Sequence, residues 1–200
     1  MLEKASAHLK RYRALRLPGD WPRAAVLMPI INHPAPSLLL TRRNARLNAH
    51  PGQVAFPGGK RDRQDTSLEA CALRESFEEI GLEAFRVTLI GRLSERLSTG
   101  GVAVTPFVGL IEPPLVTRAN PDEIEAIFDI PLAELLHDPR THTDVICRHD
   151  QTLYVPSYAI EGHTLWGLSA MMVVELLNVA FEIDIGLDRY PAGSRLRYLP

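Results

Sequence analysis

Glu75, Glu78 and Glu79 stand three and four residues apart. At about 100° per residue, a helix carrying them projects all three carboxylates from one side over neighbouring turns. Like charges gathered in one small volume repel. A hard divalent cation such as Mg²⁺ or Mn²⁺ offsets the repulsion and takes oxygen ligands. Arg74 precedes Glu78 by four residues, the spacing at which a guanidinium can pair with a carboxylate and fix its direction. A solvated acidic helix with ordinary Arg–Glu pairing fits the same spacing, so the argument for a metal site rests on context. Gly58-Gly59-Lys60 lies upstream, and Gly81 closes the segment. The glycine pair permits a tight turn and close backbone approach. Lys60, Arg61 and Arg63 either face a phosphate or keep this loop soluble.

The helix that positions these groups is expected to begin around Ser67. Thr66 stands three residues before Glu69 in the manner of a capping box, and Leu68, Cys71, Ala72, Phe77 and Ile80 supply an apolar side. Upstream, residues 3–13 read as a short polar helix. Residues 24–31 and 38–40 read as a strand pair joined by the turn Asn32-His33-Pro34-Ala35-Pro36. Residues 42–46 and 50–53 suit no continuous regular structure. Residues 54–56 form a short strand that Pro57-Gly58-Gly59 should end. Strands are expected at 85–90, 102–111, 124–130 and 153–158, and helices at 131–136 and 168–179. Strands interrupted by a few helices indicate a mixed α/β or α+β fold.

The 200 residues make one domain, 1–200, the expectation, with residues 1–20 as an N-terminal helical extension. An apolar fraction of 46% is enough for a continuous core. Lys and Arg total 22 against 24 for Asp and Glu, a net charge of −2, which argues against nucleic acid as a partner. Cys71 and Cys147 are the only cysteines, too few for a disulfide scaffold. No apolar run is long enough to span a bilayer, so no membrane partner is expected and the simplest location is cytoplasmic. The region 165–181 serves either the monomer core or a homodimer interface. Cys71 and Trp166 sit in apolar patterns and are read as packing residues, and His50 as a loop or contact residue.

The helical stretch Arg74-Glu75-Ser76-Phe77-Glu78-Glu79-Ile80-Gly81-Leu82, with its upstream glycines, resembles the Nudix hydrolase family. Ser76 occupies a usually apolar position of that motif. The interval from Gly59 to Arg74 is one residue longer than the common form, with Asp65 or Thr66 near the customary first Glu. Leu40-Thr41-Arg42-Arg43 and His50-Pro51-Gly52-Gln53-Val54-Ala55-Phe56-Pro57-Gly58-Gly59 resemble the leader of the coenzyme A pyrophosphatase branch, and Leu165-Trp166-Gly167-Leu168-Ser169-Ala170 its C-terminal region.

The resemblance implies an α/β/α sandwich with a mixed β-sheet, and water attack on a phosphorus of a diphosphate. The substrate would be coenzyme A or a derivative, cleaved to 3′-phosphoadenosine 5′-phosphate and 4′-phosphopantetheine. Glu75, Glu78 and Glu79 would hold Mg²⁺ or Mn²⁺, with Arg74 organising them. The metal would neutralise phosphate charge and lower the pKa of the attacking water. Glu123 and Glu125 are candidates for an additional ligand or base, or plain charges at the start of a strand. Arg42, Arg43 and Arg46 are candidate contacts for the diphosphate or the 3′-phosphate, since guanidinium groups favour bidentate phosphate pairing, or else exposed solubilising residues. Gln53 and Phe56 would shape the pocket through a polar contact and packing respectively, or brace the loop, and Lys60 completes the candidate substrate contacts. Two other readings stay open: a Nudix pyrophosphatase for ADP-ribose or dinucleotides, and a non-catalytic module that binds a nucleotide metabolite.

Overall fold

The computed structural model describes the chain except residues 48, 149, 150, 199 and 200 and the side chains at 148 and 151. Strand β1 (Arg23–Ile31) lies at the centre of a mixed sheet. It pairs antiparallel with β2 (Ser37–Arg43) across the Pro-bearing turn, and parallel with β7 (Ala103–Ile111) along its whole length. Around this trio stand β3 (Val54–Ala55) and β8 (Ile124–Pro131) on β2, β4 (Gly58–Lys60) on β1, and β5 (Val87–Arg92) and β6 (Arg96–Leu97) on β7. Both faces of β1 are covered, which is why it reads as an apolar run and not as an alternation.

One face packs helix α2 (Leu68–Ile80): Ala25, Leu27 and Leu39 meet Cys71, Ala72 and Ile80. The other packs α1 (Leu2–Arg11), α4 (Gly167–Phe181) and a second sheet, in the order β11 (His163–Leu165), β10 (Gln151–Ile160), β9 (His142–Arg148), β12 (Leu196–Tyr198). Met28, Ile30 and Leu40 belong to that larger cluster with Val173, Leu176 and Leu177 of α4. The architecture is α/β, helices on both faces of a mixed sheet.

Several local expectations need correction. Helix α1 is amphipathic, burying Leu2, Ala5 and Leu9. Arg42 and Arg43 lie in β2, because pairing with β8 continues through them. Pro57 does not end the strand region, since Gly58–Lys60 pairs with β1. Residues 84–86 form a 3₁₀ turn before β5. Strands β9, β11 and β12, which carry no strong alternation, lie outside the elements expected from the sequence. A short helix α3 (Leu132–Leu135) follows β8, with Pro131 at its N-cap.

Helix α2 is capped by Ser67, whose Oγ accepts the Ala70 amide at 3.1 Å, so the Thr66–Glu69 box is replaced by a simpler cap one residue on. Gly81 ends the helix at φ 68°, a left-handed conformation that a side chain would strain. Phe77 is exposed, while Ser76 takes the buried position and satisfies its hydroxyl by donating to the Ala72 carbonyl at 2.7 Å. In the loop before the helix, the buried Asp65 accepts from the Asp62 amide at 2.7 Å and from Arg74 Nε and Nη2 at 2.8 and 3.0 Å. The Arg74 guanidinium, aided by that amide, holds the Asp65 carboxyl at about 2, below its ordinary 3.8.

Two outcomes follow from these anchors. Ser67→Ala should cost about 1 kcal/mol in urea unfolding, with an unchanged m-value. Asp65 contributes stability that is complete above its unfolded pKa and is lost as pH falls through the folded one. The wild type should therefore lose on the order of 2 kcal/mol between about pH 4 and 2 that Asp65→Asn lacks, measured by urea titration across that range.

Candidate functional site

The acidic face of α2 lies against β4, and Arg43 reaches it from the end of β2. Glu75 reaches over Gly59: a Cβ on that glycine would fall 2.4 Å from the Glu75 carboxylate, so only glycine admits the side chain there. Glu79 is buried at 2% exposure. Its Oε2 accepts the Gly58 amide at 3.1 Å, and Arg43 Nη1 stands 3.5 Å from its Oε1. Burial pushes the Glu79 carboxyl up to about 7, against the lowering effect of the Gly58 amide and Arg43; the charges of Glu123 and Glu75 add to the rise. Burial also raises Glu75, opposed by Arg74 and assisted by Glu78 and Glu123.

Arg74 connects the rest of the group. Its Nη1 donates to Glu78 Oε2 at 2.9 Å, its Nη2 lies 2.9 Å from Glu75 Oε1, and Nη2 also donates to the Lys60 carbonyl at 3.3 Å. With Asp65 on its other side, this guanidinium is fixed in the loop and points two carboxylates of the helix.

Glu75 and Glu79 are thus brought together with Glu123 close enough to bias both, while Glu78 is half exposed and turned to Arg74. Among the described residues, no three His, Cys, Asp or Glu side chains are already gathered around a metal position. The donor set nevertheless suits one. It is all carboxylate oxygen, and two of its members repel in a desolvated place where a hard cation would lower the cost of ionisation. A turn of Glu78 away from Arg74 would add the third helical carboxylate.

The expected substrate contacts divide. Arg43 reaches the site. Arg42, one residue earlier on the strand, points to the opposite face of the sheet and pairs with Glu125 at 3.0 Å. Glu125 is the extra residue of a β-bulge, since Arg42 pairs with Ala126 and Arg43 with Ile124, and this separates it from the carboxylate group. Phe56 is 4% exposed in the larger hydrophobic cluster, so it packs and leaves no surface for a ligand. Gln53 is partly buried, its carbonyl accepting the Arg43 amide at 3.0 Å. Arg46, Lys60 and His50 are exposed, and His50 adopts φ 54°. Cys71 is buried beneath the glycine loop, its thiol 3.6 Å from the Gly59 carbonyl and pushed up to about 11 by burial, which makes it a packing group. Trp166 is half-buried, with the Arg197 guanidinium 5.9 Å from its ring centre.

Two contributors carried little sequence signal. The Gly58 amide is a backbone group, visible only once β4 pairs with β1. Asp65 stands nine residues before Arg74, a separation at which a loop decides contact and helical periodicity is silent.

Residues 21–147 match the NUDIX domain. A protein of Photorhabdus laumondii, named as an uncharacterized Nudix hydrolase NudL, is 45% identical over 161 residues, 80% of this chain and 86% of that protein. Its namesake in Escherichia coli O6:H1 is 46% identical over 154 residues, 77% and 80% of the two chains. The crystal structure of a MutT/nudix family protein from Enterococcus faecalis superposes with a TM-score of 0.53 at 14% identity, covering 90% of this chain and 74% of that one, a likeness of fold. With a matched domain spanning more than half its length and relatives covered over most of theirs, the chain belongs to the Nudix family.

Proposed function

We propose that the protein is a divalent-metal-dependent Nudix hydrolase that cleaves the diphosphate of coenzyme A or an acylated derivative. The observation that carries this reading is the convergence of Glu75 and Glu79 of α2 on the Gly58-Gly59 backbone, with Arg43 of the leader facing Glu79. The relatives' names support hydrolysis, and the leader residues support coenzyme A within that class. Glu75, Glu78 and Glu79 are the proposed metal ligands, and Glu123 the proposed additional ligand or base. Mg²⁺ or Mn²⁺ held there would neutralise the diphosphate and polarise the attacked phosphorus.

The chain's own groups then have distinct tasks. Arg74 holds Glu75 and Glu78 in a fixed relation to the loop, and Asp65 holds Arg74. The Gly58 amide fixes Glu79 Oε2. Arg43 would meet a phosphate oxygen beside Glu79, and the exposed cations Lys60 and Arg46 would attract the anionic substrate. The partner is a small diphosphate.

With Mg²⁺ or Mn²⁺, mass spectrometry should detect 3′-phosphoadenosine 5′-phosphate and 4′-phosphopantetheine from coenzyme A in preference to products from ADP-ribose or a dinucleotide. Chelation should abolish turnover, and Glu79→Gln should lower kcat/KM by about 10²-fold or more. Preferential cleavage of ADP-ribose or a dinucleotide would replace the substrate while keeping the reaction. Tight metabolite binding without cleavage would instead identify a binding module. Gly59→Ala should lower kcat/KM by about 10²-fold, because the new methyl displaces the Glu75 carboxylate, with kcat affected more than thermal stability.

A further inference from the structure

The first 23 residues carry six Lys and Arg against two Asp and Glu, in a chain whose net charge is −2. Between Glu3 and Asp20 stand five of those cations and no carboxylate. Lys10 and Arg11 are exposed on the last turn of α1, whose other side buries Leu2, Ala5 and Leu9. Residues 12–22, which join α1 to β1, form no helix or strand, yet their backbone is fixed. The Leu15 amide donates to Ser94 Oγ at 3.1 Å, the Glu95 amide to the Leu15 carbonyl at 3.0 Å, and the Leu17 amide to Glu95 Oε2 at 2.8 Å. Tyr12 turns inward, its hydroxyl donating to Glu175 Oε1 at 3.0 Å. The buried Glu95 also accepts from Arg23 Nη1 at 2.7 Å, so one carboxylate pins both ends of the loop 17–23.

The outer side of this strap carries more than solubilising charge. Leu15 is 72% exposed and Trp21 39%. Arg13 is exposed between Arg11 and Leu15, and the Arg16 side chain is 69% exposed, 3.7 Å from a Glu95 carboxylate that Arg23 already satisfies. Among the described residues, Lys10, Arg11 and Arg13 enter no salt bridge. The Trp21 indole N–H donates to the Pro18 carbonyl at 2.8 Å, so the ring can leave water without stranding its polar atom. Apolar side chains displayed among unpaired cations complement a surface that is anionic outside and hydrocarbon beneath. Headgroup phosphates attract the cations, and tryptophan and leucine settle at the boundary with the acyl chains. A nucleic acid would use the cations and leave Leu15 without a purpose. Because the strap backbone is already held, docking orders little further chain.

We propose that residues 10–21 are a peripheral docking strap for an anionic phospholipid surface, with Lys10, Arg11, Arg13 and Arg16 meeting headgroup phosphates and Leu15 and Trp21 entering the interface. No helix among the described residues is long and apolar enough to cross a membrane, and attachment of this kind requires none. Strand β1 begins two residues after Trp21 and pairs at once with β4, Ala24 with Lys60 and Ala25 with Gly59. The docking strap and the Gly58-Gly59 loop therefore share one end of β1, where Lys60, Arg61 and Arg63 extend the exposed positive charge. The proposal does not depend on which diphosphate is cleaved.

Trp166→Phe leaves Trp21 as the single indole. The full chain with that change is mixed with vesicles of phosphatidylcholine, or of phosphatidylcholine and phosphatidylglycerol, and followed by co-sedimentation and indole emission. Sedimentation with the anionic vesicles alone is expected, with a blue shift of the emission and release in high salt. Arg11→Gln, Arg13→Gln and Arg16→Gln together should lower the partition coefficient by about 10²-fold, and Leu15→Ser by about tenfold. Replacing the same three arginines by lysine, which keeps the charge, should retain binding. No sedimentation with anionic vesicles, equal sedimentation with neutral ones, unchanged binding in the glutamine variant, or loss of binding in the lysine variant would overturn the proposal. Retention by duplex DNA as strong as by anionic vesicles, with no blue shift on the vesicles, would overturn it in favour of a general polyanion surface.

Discussion

A carboxylate withdrawn from water needs a compensating positive charge or hydrogen bonds, and the site is organised around that requirement at Glu79. The fold meets it incompletely, with one amide at 3.1 Å and one guanidinium at 3.5 Å, while neighbouring carboxylates work against it. The deficit is compatible with a place meant to receive further positive charge. Every other feature of the site can be traced to holding that imbalance in position. Strand β4 brings the amide, the end of β2 brings the guanidinium, and α2 is pinned between a Ser67 cap and a Gly81 stop.

The second constraint is steric. Glu75 occupies the space a side chain on residue 59 would need, so the helix approaches β4 closely. That closeness lets Arg74 reach the Lys60 carbonyl, the Asp65 carboxylate and two glutamates from one guanidinium. Five donors in a planar fork suit this use, whereas a lysine could not span the same partners.

Much of this was legible in the residues. The 3.6-residue period marked α2 and the shared side of its glutamates. The apolar runs marked β1, β2, β7 and α4. What escaped depended on long-range pairing. Gly58–Lys60 looks like a strand terminator until β1 is set beside it, β9 is a strand because it pairs with β10, and β12 because it pairs with β9. The burial of Phe56 depends on long-range packing in the larger cluster, which a short strand flanked by proline does not reveal. Phe77 was misread because its place on the helix is given to Ser76, whose hydroxyl is satisfied within the helix. The arginines could be named but not sorted, since the sequence does not show where β2 stops.

The bulge in β8 sorts charge between the two faces. Under strict alternation, Ile124 and Ile127 could not both face α2, yet both belong to the cluster beneath it. The extra residue, Glu125, shifts the phase of the strand between them. Glu125 is thereby turned to Arg42, while Glu123, in the turn just before the strand, stays near enough to the α2 carboxylates to bias them. Removing that single residue of phase would exchange faces for everything on one side of it, so the length of this segment matters as much as its composition.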